Sequence, residues 1–461
     1  MRSRALLTVV LIAGSRLSLA AQEPAGAPLI KRIDSLVNDY MTSKKAPAVS
    51  VAVLHGQDTV LMRGYGLASR EANRKADAST VYEIGSITKQ FTASGIMRLV
   101  ERGKVSLDDP ISKYVPDLPA HEQNIKIRQL LNHTSGVHNY TSSPEWMKTW
   151  NQDYTPRQIV AFVDKDSLDF PSGTRYSYSN TGYVLLGMVI EKASGQPYAT
   201  FVQREFFTPL ALTQTSYCPS HPTDTHFAVG YQMKGDTMKV ADYLSMTHPF
   251  SAGALCSTVR DLVKWQRDLV AGKVVSAKSF EQMTTPDSLP GGRRMNYGFG
   301  LTVGQVGNKK MIAHGGGIFG FTTAGAFVPE DAINVAVFTN SEGGPDALAA
   351  NIVRAVMGIP LAAAPQRLVA SPLRDIDRDR MVGVYDFGQL VLHVTVEGGR
   401  LMAQAEGQGQ GKFPLVHVGG FRFGTQVDPT LFITFVDEGG KITKAQFTQR
   451  GSPPMEGTRK P

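Results

Sequence analysis

The sequence predicts a mixed α/β fold: an antiparallel sheet flanked by helices, with a helical subdomain, followed by a small C-terminal antiparallel β domain. Two observations predict the larger part. Strand patterns occur near both of its ends, and a long helical, loop-rich stretch separates them. A third observation predicts the smaller part, because two glycine-glycine turns near the C-terminus each separate two apolar, strand-like segments.

Each element of the larger part follows from a local pattern. Apolar residues at helical spacing predict an amphipathic helix over residues 30–41, and Ser86 precedes a second helix with an apolar face. Residues 107–270 are predicted to be mostly helices and loops. Strands are predicted at 48–54, 59–65, 298–303, 310–313, 322–328 and 333–339, and a closing alanine-rich helix at 347–357.

The N-terminus has the pattern of a secretory signal. Arg2 and Arg4 precede an apolar stretch over residues 5–14 that is too short to span a bilayer. Small residues then allow cleavage after Ala20 or Ala21. We therefore expect a secreted or periplasmic protein.

The chain is expected to divide into four segments. Residues 1–21 are the predicted signal peptide, and residues 22–359 the main domain. A proline-rich linker is predicted over 360–374 and an accessory β-barrel-like domain over 375–461. No later segment is apolar enough to predict a membrane span.

Composition narrows the expected partners. The chain is 42% hydrophobic and 19% charged, as in ordinary globular proteins, with a net charge of +8 at pH 7. Its lysines and arginines are scattered, which argues against a nucleic-acid surface. We expect a small-molecule or peptide substrate, and the oligomeric state stays open.

Cysteines and histidines give no metal-binding pattern, so neither a metal nor another cofactor is expected. His133 and His138 are interpreted as structural or exposed. Cys218 and Cys256 are the only cysteines. In an exported protein they form either one disulfide or two buried free thiols.

Ser86 and Lys89 are the first candidate catalytic pair. A separation of three places both side chains on one helix face, one turn apart. The lysine amine then lies within reach of the serine hydroxyl, which is the pairing that a serine nucleophile needs. Ser-x-x-Lys occurs by chance about once or twice in a chain of this length. A capping serine followed by a solvated lysine is the alternative.

Two later segments support the catalytic interpretation. Tyr178 and Asn180 lie in a loop that leads into an apolar helix. His314 is followed by three glycines at a predicted strand end, where another backbone could approach closely. The alternatives are a core aromatic at Tyr178 and, at His314, a strand-end histidine bonded to a carbonyl.

Taken together, these segments resemble the serine β-lactamase and penicillin-binding-protein superfamily. The similarity is to its class C-like branch of class C β-lactamases, D-stereospecific peptidases and family VIII esterases. It covers residues 30–357, including a Leu-Leu-x-His-Thr-Ser-Gly run at 130–136. Three motifs occur in the family's order: Ser86 with Lys89, Tyr178 with Asn180, and His314 with Gly316.

The resemblance implies a role for each residue. Ser86 would be the acylated nucleophile, Lys89 a neutral or proton-sharing amine, and Tyr178 a general base or proton relay. Asn180 would orient Lys89 and contact the substrate. The backbone N–H groups of Ser86 and Gly317 would form an oxyanion hole.

One departure from the family limits the expected activity. His314 stands where β-lactamases and penicillin-binding proteins usually have a lysine that helps hold a substrate carboxylate, and Gly315 supplies no hydroxyl. With Gly316, His314 is assigned to substrate binding, either by direct contact or by support of the Ser86–Tyr178 pair. An esterase or D-peptidase is therefore favoured over an efficient β-lactamase.

The predicted function is a secreted serine hydrolase that acts on esters, D-amino-acid peptides or β-lactam-like amides. The alternative is a non-catalytic binder of cell-wall peptide fragments that uses the same cleft. Three aromatic residues of the middle region are expected to line a pocket or to pack in the core: Tyr140, Trp146 and Trp150.

Overall fold

The computed structural model describes most of the 461-residue chain. The described residues are 26–164, 167–220, 222, 224–292, 294–362, 368, 370–387, 391–405, 412–425, 431–449 and 454–460. The predicted signal peptide and part of the predicted linker lie outside these ranges, so the domain boundaries stay a prediction. No helix in the described ranges is long and apolar enough to cross a membrane.

The elements follow the predicted order, with strands near both ends of the larger part and mostly helices between them. The helices are α1 Ala27–Lys44, α2 Thr88–Glu101, α3 Ile127–Leu131, α4 Trp146–Thr149, α5 Pro156–Ala161, α6 Asn180–Ser194, α7 Tyr198–Val202, α8 Phe250–Gly253, α9 Val259–Val270, α10 Ala277–Met283, α11 Asp346–Val356 and α12 Asp375–Arg380. The strands of the larger part are β1 Ala48–His55, β2 Asp58–Ser69, β3 Arg74–Lys75, β4 Tyr82–Glu83, β5 Ser216–Tyr217, β6 Tyr231–Lys234, β7 Thr237–Val240, β8 Leu255–Ser257, β9 Thr302–Val306, β10 Lys309–Ile318, β11 Phe321–Val328 and β12 Ile333–Thr339.

A seven-stranded antiparallel sheet, ordered β3-β2-β1-β12-β11-β10-β9, is formed by strands from both ends of the larger part. Its centre is β1 paired with β12, where Val51 lies opposite Val337. Because Val51 and Val337 are far apart in sequence, their pairing joins the two ends of the domain. This arrangement confirms the predicted mixed α/β fold with its antiparallel sheet.

The central strands of the sheet, β1, β11 and β12, are buried on both faces. Alternate residues of β1 point to opposite sides, so Val49, Val51 and Val53 pack with Ile33 of α1 and Ile352 of α11. The other face packs against the helical region, where Phe91 of α2 and Trp265 of α9 stack with ring centroids 4.0 Å apart. Continuous burial explains why the central strands are apolar runs with weak alternation.

Two strand boundaries differ from the predicted ones. The strand expected at 298–303 begins at Thr302, because Gly300 has a φ of 68° and the preceding segment turns. The strand expected to end beside His314 instead continues to Ile318. The glycines that follow His314 are therefore part of β10, where Gly317 pairs with Thr322 of β11.

A small sheet, ordered β4-β8-β5, holds the segment that precedes Ser86. Glu83 of β4 lies opposite Cys256 of β8, and Ser216 of β5 lies opposite Cys256 on the other side. Cys218 and Cys256 form a disulfide, with Cα atoms 5.0 Å apart. Of the two alternatives for the cysteines, the structure therefore has the bonded one.

The C-terminal part is a closed antiparallel barrel, as the glycine-glycine turns predict. Its own apolar core includes Tyr385, Leu392 and Phe435. The strands are β13 Gly383–Asp386, β14 Val391–Glu397, β15 Arg400–Ala405, β16 Phe413–Gly419, β17 Arg422–Thr425, β18 Leu431–Glu438, β19 Lys441–Gln449 and β20 Met455–Arg459.

We predict that the disulfide stabilises the folded protein by restricting the unfolded chain between residues 38 apart in sequence. Replacing Cys218 and Cys256 together by serine should lower the free energy of unfolding by about 2–4 kcal/mol, measured by urea denaturation. Reductant should destabilise the wild type similarly and leave the double variant unchanged. Two free thiols in the denatured, unreduced wild type would contradict this prediction.

Candidate active site

Ser86 lies in a single 3₁₀ turn, Gly85–Ile87, that joins β4 to α2. Lys89 follows one turn later, and its Nζ lies 3.1 Å from Ser86 Oγ. Two further oxygens fix the amine: Asn180 Oδ1 and the carbonyl oxygen of Ala252 each accept a hydrogen bond at 2.8 Å. Two of the three hydrogen-bonding positions on the amine are thus occupied by carbonyl oxygens, and the third faces the serine.

Lys89 is fully buried beneath the turn. Removal from water disfavours the ammonium form, so burial lowers the pKa of Lys89 well below its ordinary value. Its Nζ also lies 4.8 Å from the ring centroid of Tyr178 and 5.3 Å from that of Tyr183. The site therefore holds an amine that loses its proton more readily than a surface lysine does.

Tyr178 lies beside the serine in the loop that leads into α6, and it shares a side-chain hydrogen bond with Ser86. Burial raises the pKa of Tyr178, although the bond to Ser86 opposes the shift. The phenol is therefore protonated near neutral pH. Of the two roles that the resemblance implies, this environment suits a proton relay better than a resting phenolate.

His133 holds the Tyr178 loop in place. Its ring lies against that of Tyr178, with centroids 4.2 Å apart, and its Nδ1 accepts a hydrogen bond from Ser179 N–H at 3.2 Å. The His133 carbonyl also accepts a bond from Ser177 N–H at 2.9 Å. The sequence analysis interpreted His133 as structural or exposed, and the structure buries it. The feature of the sequence that indicates its place near the site is the run at residues 130–136.

His314 is buried on β10 with both ring nitrogens occupied. Tyr297 Oη lies 2.8 Å from its Nε2, and the Gly315 carbonyl oxygen lies 2.6 Å from its Nδ1. A neutral ring satisfies both contacts, by donating to Gly315 and accepting from Tyr297. Burial is the main cause that lowers the pKa of His314 to about 4. These contacts favour support of the Tyr178 region over direct contact with a substrate.

The absence of side chains at Gly85 and Gly316 allows β10 to approach the turn that carries Ser86. A Cβ on Gly316 would lie 2.0 Å from the Ile84 carbonyl oxygen, and one on Gly85 would lie 3.0 Å from the Gly317 backbone. Gly85 also has a φ of 50°. Gly316 thus packs behind the site, and Gly317 lines the same cleft as Ser86. The absence of a side chain at Gly315 is also explained, since a Cβ there would lie 2.4 Å from Asp346 Oδ1.

A cleft of about 350 Å³ opens above Ser86. Asn180 and Gly317 line it beside the serine, and Tyr140, Trp146 and Phe319 form an aromatic wall. The sequence analysis left two alternatives for the three aromatic residues of the middle region, which either line a pocket or pack in the core. Tyr140 and Trp146 line the cleft, whereas Trp150 packs behind Phe319, with ring centroids 5.3 Å apart.

The structure brings together the predicted residues Ser86, Lys89, Tyr178, Asn180 and Gly317, and their roles stay predictions. Sequence reasoning missed Tyr297, which carries no motif and reaches His314 from the segment just before β9. His138 lies apart from the cleft, beside Asp169. Within the described ranges, no cluster of histidine, cysteine or acidic residues is arranged to hold a metal ion.

This fold and site define a class of protein. The Beta-lactamase family matches residues 33–358, and the chain belongs to that family. It is a hydrolase of the serine β-lactamase and penicillin-binding-protein superfamily, which confirms the resemblance that the three motifs gave.

Three relatives illustrate the similarity. A putative penicillin-binding protein, PbpX of Bacillus subtilis, is 27% identical over 315 residues, covering 68% of this chain and 75% of PbpX. An octameric penicillin-binding protein homologue from Pyrococcus abyssi superposes with a TM-score of 0.68 at 25% identity, covering 93% of this chain and 100% of that one. A D-stereospecific amidohydrolase from Streptomyces superposes with a TM-score of 0.62 at 27% identity, covering 72% and 98%.

We predict that His314 makes the protein less stable in acid. Its pKa is about 4 in the folded state and about 6.5 when unfolded, so the unfolded state binds more protons between these values. Stability should therefore fall as the pH drops from about 6.5 to about 4. In His314→Gln this fall should be smaller by up to about 3 kcal/mol, measured by urea denaturation across that range.

The matched control is His55→Gln, at the exposed end of β1. Its stability curve should follow that of the wild type. Parallel curves for wild type and His314→Gln would contradict the prediction.

Proposed function

We propose that the protein is a serine hydrolase that forms an acyl-enzyme on Ser86. The observation that carries this proposal is the position of Lys89 Nζ, which lies 3.1 Å from Ser86 Oγ and is held by Asn180 and Ala252. An amine with two N–H groups committed to carbonyl oxygens can direct its lone pair at the serine hydroxyl. A serine nucleophile requires such a neighbouring base.

The protonation states of Lys89 and Tyr178 support Lys89 as the group that accepts the serine proton in the first step. Burial favours the neutral amine at Lys89 and the protonated phenol at Tyr178. As Ser86 Oγ attacks the substrate carbonyl carbon, its proton passes to Lys89. Collapse of the tetrahedral intermediate breaks the bond to the leaving group, which takes up one proton through Tyr178 and Lys89.

Two backbone N–H groups are proposed to stabilise the negative oxygen of the intermediate. Ser86 and Gly317 line one cleft, and the glycines at 85 and 316 allow their backbones to approach. Loss of one oxyanion donor typically costs about 3–4 kcal/mol in the barrier. Water then attacks the acyl-enzyme and loses a proton to the Lys89–Tyr178 pair. The bond between Ser86 Oγ and the acyl carbon breaks, the pair returns the proton to Ser86 Oγ, and the acid product leaves.

The proposed substrates are esters and D-amino-acid peptides or amides, with β-lactam-like amides as weaker ones. The described residues that line the cleft include no lysine or arginine to hold a carboxylate, and a histidine with a pKa of about 4 stands at position 314. The similarity to a D-stereospecific amidohydrolase supports the amide branch of this proposal.

We also propose that the protein is exported and that residues 1–21 are removed. The Cys218–Cys256 disulfide supports this proposal, because such bonds persist in oxidising compartments. Expression of the full chain in a bacterial host should yield an exported protein whose N-terminus, determined by mass spectrometry, follows Ala20 or Ala21. An intact Met1 on the exported protein would contradict the proposed cleavage.

We predict that a fluorophosphonate probe labels Ser86, detected as a mass increase on the peptide that contains it. Ser86→Ala should abolish labelling and the hydrolysis of p-nitrophenyl acetate. Ser106→Ala, an exposed serine outside the cleft, is the matched control and should keep both activities. An unlabelled wild type that does not hydrolyse the ester would overturn the acyl-enzyme proposal.

Tyr178→Phe should separate proton relay from packing, because the ring and its contact with His133 remain while the hydroxyl is lost. We expect kcat for p-nitrophenyl acetate to fall by about 10²–10⁴, the range for loss of general acid–base catalysis. Thermal unfolding should show a folded variant. An unchanged kcat would contradict the relay role.

A comparison of nitrocefin, short-chain p-nitrophenyl esters and D-alanyl amides should identify the substrate class. The alternative function, a non-catalytic binder of cell-wall peptide fragments, predicts binding of such fragments without turnover of any of these compounds. Turnover that requires both Ser86 and Tyr178 excludes that alternative.

A further inference from the structure

The cleft above Ser86 has an acidic mouth. Of the described residues that line it, Glu342 is the only one with a charged side chain. It is exposed and follows β12 by three residues, where it shares the cleft with Thr322 and Gly317. A substrate that enters the cleft therefore passes a carboxylate near the proposed oxyanion site.

The Glu342 carboxylate is available to a ligand. It makes no ion pair or hydrogen bond with another residue in the part of the chain that the structure describes. Lys44 approaches the neighbouring Gly343, where a Cβ would lie 3.3 Å from its Cδ, without pairing with Glu342. Gly343 and Gly344 have φ values of 129° and 51°, so glycine is needed to form the turn that follows Glu342.

No positive charge inside the cleft offsets this carboxylate. Lys89 is fully buried, and its amine is committed to Ser86, Asn180 and Ala252. His314 is buried as a neutral ring between Tyr297 and Gly315. Glu342 is therefore the one charged side chain among the described lining residues, and a low-dielectric cleft strengthens its effect on a bound charge.

The rest of the cleft suits an apolar group. Trp146, Leu244 and Phe319 line it, and aromatic faces attract cations and repel anions. A ligand with an apolar body and a positively charged end would thus match both the wall and the mouth. A ligand with a carboxylate end would match only the wall.

We propose that Glu342 is a specificity-determining residue that selects substrates carrying a positively charged group, such as a primary ammonium, and disfavours substrates carrying a carboxylate. This inference rests on the proposed function and adds to it the charge of the substrate. The cation can belong to the acyl part or to the leaving group, and the two arms of the test distinguish these cases.

The acyl arm compares three p-nitrophenyl esters of similar length: 6-aminohexanoate, hexanoate and the adipate monoester. The leaving-group arm compares acetylthiocholine with its uncharged 3,3-dimethylbutyl thioester. In at least one arm, kcat/KM should be highest for the cationic ester. Glu342→Gln should lower that preference by about three- to fivefold at low salt, as expected for one exposed ion pair.

Matched controls isolate the charge at the mouth. Glu330→Gln removes the same charge from an exposed position just beyond the opposite end of β11. At the usual rise of a strand this position is roughly 20 Å or more from the mouth, so the preference for the cationic ester should not change. Lys44→Gln should increase the preference slightly, since it removes a cation near the mouth. Salt at 0.5 M should reduce the wild-type preference toward that of Glu342→Gln.

Binding to Ser86→Ala tests the inference without turnover. Isothermal titration calorimetry should rank 4-phenylbutylamine above 4-phenylbutanol and 4-phenylbutanoate, and Glu342→Gln in the Ser86→Ala background should remove this ranking. The charge inference is overturned if Glu342→Gln hydrolyses the neutral esters normally and keeps the wild-type preference in both arms. If wild type hydrolyses none of the esters, the proposed function fails, and the calorimetric ranking alone supports or overturns the inference.

Discussion

Lys89 carries a primary amine into a position from which water is excluded, and the surrounding structure must compensate for that loss of hydration. Burial of an ammonium group without partners is strongly unfavourable, so the neutral amine is favoured and its N–H groups need acceptors. Asn180 at the start of α6 and Ala252 in α8 supply them. Two segments that are distant in sequence from Ser86, the start of α6 and α8, are therefore held beside it by one nitrogen atom.

The same constraint shapes the aromatic residues around the amine. His133, Tyr178, Tyr183 and Tyr297 exclude water from Lys89 and lie against one another, with the His133 and Tyr297 ring centroids 4.7 Å apart. This packing raises the pKa of Tyr178 and lowers that of His133. A neutral amine beside a protonated phenol therefore follows from burial.

Backbone approach is the second requirement of the site. The turn at Gly85 and the β10 strand come into contact because side chains are absent at the points where they meet, and Thr323 Oγ1 donates to the Ile84 carbonyl oxygen at 2.9 Å. The turn that carries Ser86 is also held by the strand before it, since β4 pairs with the disulfide-bonded strand β8. Among the described residues that line the cleft, Glu342 is the one with a charged side chain.

The sequence alone predicted the central strands from their apolar runs, the first helix from its helical spacing, and the barrel from alternation around its glycine-glycine turns. It also indicated Ser86, Lys89, Tyr178 and Asn180, since their spacing is that of a known family. The sequence did not predict the full length of β10, because glycines usually interrupt strands. Here pairing with β11 keeps Gly315, Gly316 and Gly317 in the strand.

The tertiary structure alone decided the contacts that link distant segments. The Cys218–Cys256 bond depends on the distance between two strands, and the bond from Tyr297 to His314 depends on how a loop packs over the sheet. Glu342 carries no motif, and its place at the cleft follows from the pairing of β12 with β11. Local patterns fix elements and short motifs, whereas burial, pKa and the charge of a cleft depend on which elements meet.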